Sequence, residues 1–169
     1  MRRRLLSLCL LAALSPLGAP ARAATLPQPT GPVILRVTGA IENRNEPEAA
    51  AFDRAMLEAL GTATVTTSTS WTDGTPTFEG VPLAAILDAV GATGSTLHAV
   101  AVNDYAIDLD VAEVRKYPVL AAMKQDGREL RLRDRGPLWI VYPRDDYPEL
   151  RPERNDYKWI WQLKQIDVQ

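Results

Sequence analysis

The chain has 169 residues, with 19 basic and 21 acidic side chains, a net charge of −2 and a mean hydropathy of −0.13. A slightly acidic chain of this length fits one ordinary domain and lacks the basic excess that nucleic acid or an anionic membrane surface selects. With one cysteine, Cys9, and one histidine, His98, it has almost no raw material for a structural zinc site or a histidine-based nucleophilic triad.

The first residues run Met1, Arg2 to Arg4, an apolar stretch from Leu5 to Leu14, then Pro16 and Pro20 before Ala21-Arg22-Ala23. That order of charged, apolar and small-x-small segments predicts a secretory signal peptide over 1–23, with an apolar run too short to span a bilayer. Residues 24–169 are then expected to be the working domain, exported to an extracytoplasmic compartment. Removing 1–23 takes four arginines and no acid, leaving 15 basic against 21 acidic residues and a net charge of −6. It also removes Cys9, so the remaining chain has no disulfide and depends on packing in an oxidising compartment.

Val33 to Ile41 alternate β-branched and small side chains and predict a strand, with Gly39 marking a bulge or turn. Ala51, Phe52, Ala55, Met56, Ala59 and Leu60 fall on one helical stripe, which predicts a helix over 47–60 ended by Gly61. Thr62 to Ser70 is extended and rich in threonine. Pro82 then opens a short helix from Leu83 to Val90, closed by Gly91. The segment Gly91 to Thr96 lacks a lysine and follows a helix, so it reads as a helix stop and not as a phosphate loop.

Strand patterns follow at 97–102, 105–109, 119–124 and 129–132, the last two flanking the hairpin pair Asp126-Gly127. His98 lies in the first of these and reads as a strand histidine. Further strands are expected at 137–142 and 157–168, joined by a charged, proline-rich loop over 143–156 that is either functional or merely solvated. The whole predicts a strand-rich α+β domain with a few flanking helices.

Polar and aromatic residues gather where the apolar strands end: Ser70, Trp71 and Asp73; Asn103, Asp104 and Tyr105; Arg133 and Arg135; Lys158 and Trp159. Trp139 and Trp161, each within an apolar strand, read first as core. Trp71 sits among Ser, Thr, Asp and Gly, which suits a half-exposed loop and a ligand face equally.

In order and spacing, five elements resemble the sulfite-oxidase-type molybdopterin-binding domain over nearly all of 24–169. They are Val37-Thr38-Gly39-Ala40-Ile41, the Thr-Ser-Thr-Ser run before Trp71, Gly80-Val81-Pro82-Leu83 before a helix, Asn103-Asp104-Tyr105, and Arg135-Gly136-Pro137-Leu138 ahead of a closing Trp-rich strand. The resemblance implies that family's mixed α+β fold, with a pterin in a cleft lined by strand ends and loops. Enzymes of the family hold molybdenum through a cysteine thiolate in the segment matching 67–71, where this chain has only hydroxyls and an indole. A hydroxyl is a poor substitute for a soft thiolate, so molybdenum redox catalysis is not expected.

The chain is most similar to the short, cysteine-free branch of the family, periplasmic pterin-binding proteins that accompany membrane-bound signalling proteins. The resemblance implies a non-catalytic protein that binds a pterin, molybdopterin-like or a tetrahydropterin, and reports its occupancy to the periplasmic domain of a membrane sensor. Trp71 and Tyr105 would supply aromatic faces, Asn103, Asp104 or Asp73 the polar edge, and Arg133, Arg135 and Lys158 the contacts to a phosphate tail or ring carbonyl, with Ser70 and Trp159 also expected among the cofactor-binding residues. Two alternatives stay open: an oxidoreductase with molybdenum held by Ser68 or Ser70, and a protein-interaction module with a vestigial cleft.

Overall fold

A computed structural model describes residues 26–169, so the segment 1–23, expected to be a signal peptide, lies outside the described residues. Two five-stranded sheets carry the structure. The first contains β1 (Val33–Gly39), β2 (Ala50–Asp53), β5 (Thr96–Ala101), β6 (Ala106–Asp110) and β10 (Leu163–Val168), in the order β2-β1-β10-β5-β6. Only β1 and β10 run parallel, and their pairing places the first and last strands side by side within the sheet. The second sheet is antiparallel and contains β3 (Ala63–Thr66), β4 (Thr77–Pro82), β7 (Leu120–Gln125) and β8 (Arg128–Glu129) in that order, with β9 (Trp139–Val141) also on β7.

Among the described residues three short α-helices accompany the sheets, α1 (Arg54–Ala59), α2 (Leu83–Val90) and α3 (Val111–Lys116), together with three 3-10 segments. The mixed, strand-rich α+β architecture expected from the sequence is present. One apolar cluster joins the two sheets, from Leu35, Val37 and Ile166 on the first to Phe78, Ala121 and Trp139 on the second, with Leu83, Ile86 and Leu87 of α2 buried against it. Among the described residues no helix is long and apolar enough to cross a membrane.

Four elements differ from the sequence reading, the first being the strand expected at 129–132, which is reduced to Arg128–Glu129 with Leu132 turning into a 3-10 segment over Leu132–Asp134. Residues 47–60 split into β2 and α1, because the Asn45 side chain both accepts from the Ala51 N–H and donates to its carbonyl, holding the start of the segment extended. All four residues of β2 are then buried, and Asp53 starts the helix by accepting from the Met56 N–H at 2.9 Å. The helix α3 is unannounced by any apolar stripe. Asp110 caps it through the N–H groups of Ala112 and Glu113, with Arg115 and Lys116 in its last turn. The final strand begins only at Leu163, and Tyr157 and Lys158 lie instead in a 3-10 turn over Glu153–Lys158.

The α2 boundaries match the expectation. Gly91 closes the helix in the left-handed region at φ 61°, where a side chain would be disfavoured.

Candidate functional site

A cleft of about 300 Å³ opens where the ends of β5 and β6, the loop after β3 and the segment before β10 converge. Trp71, Asn103, Tyr105 and Trp159, all expected at the site, line it together with Ala101, Asp156, Tyr157, Ile160 and Trp161. Ala101, Trp159 and Ile160 are buried and form its floor, whereas Tyr105 and Tyr157 are about half exposed, at 49% and 51%.

Aromatic contacts fix the wall. Trp71 meets Trp161 edge to face with centroids 5.4 Å apart and tilts against Trp159 at 6.3 Å. Trp139, fully buried, stands 6.4 Å from Trp159 and 6.3 Å from Trp161. Pairs of this kind each contribute about 0.5–1.5 kcal/mol beyond the area they bury, so the indoles hold one another in place. Trp139 is core, as expected from its strand; Trp161, also read as core, is partly buried and faces the cleft.

The polar groups of the cleft are Asn103 and Asp156. The Oδ1 of Asn103 accepts from the Tyr105 N–H at 3.2 Å, which leaves its amide nitrogen as a donor. Asp156 receives the Ser70 hydroxyl and lies 3.5 Å from the Arg144 guanidinium. Arg144 also donates to Ser70 Oγ at 3.1 Å and to the Arg151 carbonyl at 2.9 Å, tying the loop over 143–156 to the end of the hydroxyl-rich segment.

Beside it, Asp145 accepts from both the N–H and the Oγ of Ser68. Partial burial pushes the Asp145 carboxyl up, but the two Ser68 hydrogen bonds, with Arg151 and Arg144 nearby, outweigh it and hold the group below the usual carboxylate range. Asp156, Arg144 and Asp145 were not among the expected site residues. The only sequence signal for them was the length of their loop.

Six expected residues do not line the cleft. Ser70 stands behind it, bonded to Asp156. Asp73 is exposed in the following turn. Asp104 takes a left-handed conformation at φ 64° and points its carboxylate to Lys164, 2.6 Å away. Lys158 is largely buried against Glu113, with Nζ 2.9 and 2.7 Å from the two carboxylate oxygens, so its charge is committed to holding α3.

Arg133 is exposed on the far side of the 131–135 turn. Arg135 acts from behind the cleft: it donates to the Trp71 carbonyl at 2.9 Å and lies over the rings of Trp139 and Trp161 at 5.2 and 5.9 Å. Trp71, Asn103 and Arg135 are thus gathered in one region, two inside the cleft and one bracing its wall.

The hydroxyl-rich segment does not suit a molybdenum ion. Ser68 donates to Asp145 and Ser70 to Asp156, while Thr69 shares a 2.8 Å bond with Thr72. Each serine hydroxyl is a neutral donor to a carboxylate, the opposite of the soft anionic sulfur that the resemblance implies at this segment.

No family model matches the chain, and no curated protein does. Among solved structures it is similar to the sulfane dehydrogenase SoxCD from Paracoccus pantotrophus, with a TM-score of 0.58 and 18% identity. The match covers 79% of this chain and 37% of that one, so the chain spans little more than a third of the neighbour's length. A likeness at this identity establishes a distant relation in fold.

Proposed function

We propose that this protein is an exported, non-catalytic pterin-binding protein of the sulfite-oxidase-type molybdopterin-binding fold, and that it reports pterin occupancy to the periplasmic domain of a membrane-bound signalling partner. The observation that carries the reading is the joint placement of Trp71, Tyr105, Trp159 and Asn103 around one cleft. A flat heterocycle with a donor- and acceptor-rich edge needs aromatic faces and a few fixed polar groups, and the cleft offers indoles, two phenols, an amide and a carboxylate.

Its volume of about 300 Å³ is at the small end for ligand sites and suits a bicyclic ring better than a ring with a long tail. That makes a tetrahydropterin the favoured ligand over a molybdopterin. The hydroxyls at 67–71 supply no ligand fit for molybdenum, which removes support from the oxidoreductase alternative. The fold relation to a part of SoxCD accords with the reading. Export and the signalling partner rest on the N-terminal pattern and on the resemblance to the cysteine-free branch.

The test is an anaerobic titration of the purified protein with tetrahydrobiopterin and with oxidised biopterin, following tryptophan fluorescence and calorimetric heat. Saturable one-to-one binding is expected, with quenching from the indoles of the cleft. Absence of binding by either form would end the pterin reading.

A further inference from the structure

The most concentrated positive charge lies away from the cleft. Between Arg128 and Arg135 the chain reads Arg-Glu-Leu-Arg-Leu-Arg-Asp-Arg, four arginines in a molecule whose residues beyond 23 carry six more acids than bases. All four line an open groove of about 690 Å³ between the β7–β8 hairpin and the 131–135 turn. Asp126, Glu129 and Asp134 also line it, which leaves the lining one positive charge in excess. Among the described residues Asp134 alone pairs with the arginines, 2.6 Å from Arg131 and 3.9 Å from Arg133. Arg128 has no ion-pair partner among the described residues, and the Arg133 side chain is 73% exposed. Leu132, between two of the arginines, is 54% exposed and one of the few large apolar side chains left facing solvent.

We propose that this arginine-lined groove is a docking surface for an acidic segment of a partner protein. Guanidinium forks recognise carboxylates in pairs, and arginine, unlike lysine, is enriched where proteins meet. Leu130 lines the groove, and the exposed Leu132 in the turn at its edge supplies an apolar anchor that a purely electrostatic surface lacks. A net-acidic molecule is repelled by an anionic membrane, whereas a short acidic peptide feels mainly the charges within about 8–10 Å. That favours a peptide over lipid headgroups.

The groove also communicates with the cleft, a part of the inference that rests on the proposed function. Gln162, next to the cleft residue Trp161, donates from its side chain to the Leu132 carbonyl at 2.7 Å and from its N–H to the Arg135 carbonyl at 3.0 Å. Arg135, held at φ 71°, reaches back to the Trp71 carbonyl. One turn is therefore bonded to both sides of the indole wall, and any shift of Trp71 or Trp161 on ligand binding is felt at the arginines. By linkage, peptide and pterin then alter each other's affinity by the same factor.

The test uses the whole protein and a fluorescein-labelled octapeptide alternating glutamate and leucine, read by fluorescence anisotropy at low and physiological salt. Binding that weakens with salt is expected, and R128E/R133E should bind at least tenfold more weakly with an unchanged circular dichroism spectrum. Leu132→Ser, which keeps the charges, should bind severalfold more weakly and covers the case in which the charge reversal misfolds. No peptide binding, equal binding by both variants, or binding only to phosphatidylglycerol vesicles overturns the docking surface. Repeating the titration with tetrahydrobiopterin separates the two ideas. An unchanged peptide affinity with bound pterin overturns the coupling, whereas peptide binding by a protein that takes up no pterin upholds the docking surface and removes the proposed function.

Discussion

Asp145 accepts two hydrogen bonds from Ser68, one from the backbone N–H at 2.6 Å and one from Oγ at 2.7 Å, joining segments 77 residues apart. The contact sets the path of the hydroxyl-rich loop and so the position of Trp71 three residues on. A hydrogen bond to a charged acceptor contributes about 1.5–3 kcal/mol net, and because both bonds to Asp145 are only part-buried, water recovers much of the pair when the carboxylate is removed. Asp145→Ala should therefore lower stability in urea by about 2 kcal/mol, and also weaken pterin binding by loosening Trp71. Asp145→Asn, which keeps one acceptor oxygen, should recover part of both losses. Full pterin affinity in a destabilised Asp145→Ala would show that the loop is held by other means.

Acid should unfold the protein through a small set of carboxylates. Asp53 is held below its ordinary value chiefly by the backbone N–H groups of Met56 and Gly31, and Asp167 by the Thr38 hydroxyl and the Gln169 side chain. Asp145 joins them for the reasons given above. A carboxyl whose folded pKa lies below the unfolded value of about 3.9 stabilises the fold fully above that value, and the contribution disappears as pH falls through the folded pKa. The urea midpoint should be level from neutrality to about pH 5 and fall below about pH 4. Asp53→Asn should make that fall shallower. An acid limb of unchanged slope in this variant would remove Asp53 from the set.

Trp71 and Lys158 were equal candidates in the sequence, and the structure separates them. Trp71 lines the cleft, and stacking on a flat heterocycle contributes about 1–3 kcal/mol, so Trp71→Ala should weaken tetrahydrobiopterin binding about tenfold or more. Lys158 is paired with Glu113, their side chains 12% and 26% exposed. Lys158→Ala should lower stability by about 2 kcal/mol, between the values for exposed and fully buried pairs, with pterin affinity unchanged within about threefold. Calorimetric titration of both variants decides this, and a large affinity loss in a folded Lys158→Ala would return the lysine to the site.

What could be read in the sequence followed from local rules. Pro82 before Leu83 and Gly91 after Val90 mark α2, and Asp126-Gly127, at φ 49° and 73°, gives the β7–β8 turn. Trp71, Asn103, Tyr105 and Trp159 share one cleft because aromatic and polar residues at strand ends tend to face clefts. Lys158 and Arg133 share that position and were indistinguishable, since nothing local says that Glu113 or solvent will take the charge. The split of 47–60 was hidden for the same reason. An apolar stripe fits a helix, yet Asn45 and the pairing with β1 hold Ala50–Asp53 as strand. Asp156 entered the cleft through a loop whose course depends on Arg144 and Asp145, contacts over 74 and 77 residues.

The motif Gly80-Val81-Pro82-Leu83 carries a further prediction, because the glycine in it is required by its neighbour strand and not by its own backbone angles. The β4–β7 register shifts between Glu79 and Gly80, and the shift brings the backbone of Ala121 and Ala122 against Gly80. A Cβ at Gly80 would overlap the Ala121 carbonyl oxygen and the Ala122 Cα, neither of which can move without disturbing the buried strand. Gly127 presents the opposite case, a left-handed residue at φ 73° with open space around its Cβ position. Gly80→Ala should thus cost about 3 kcal/mol or more through overlap, and Gly127→Ala only about 1 kcal/mol through backbone preference. Urea denaturation of the two variants measures the difference. Equal losses would mean that β7 yields at Ala121, and that the close approach of the two strands is not what keeps glycine ahead of α2.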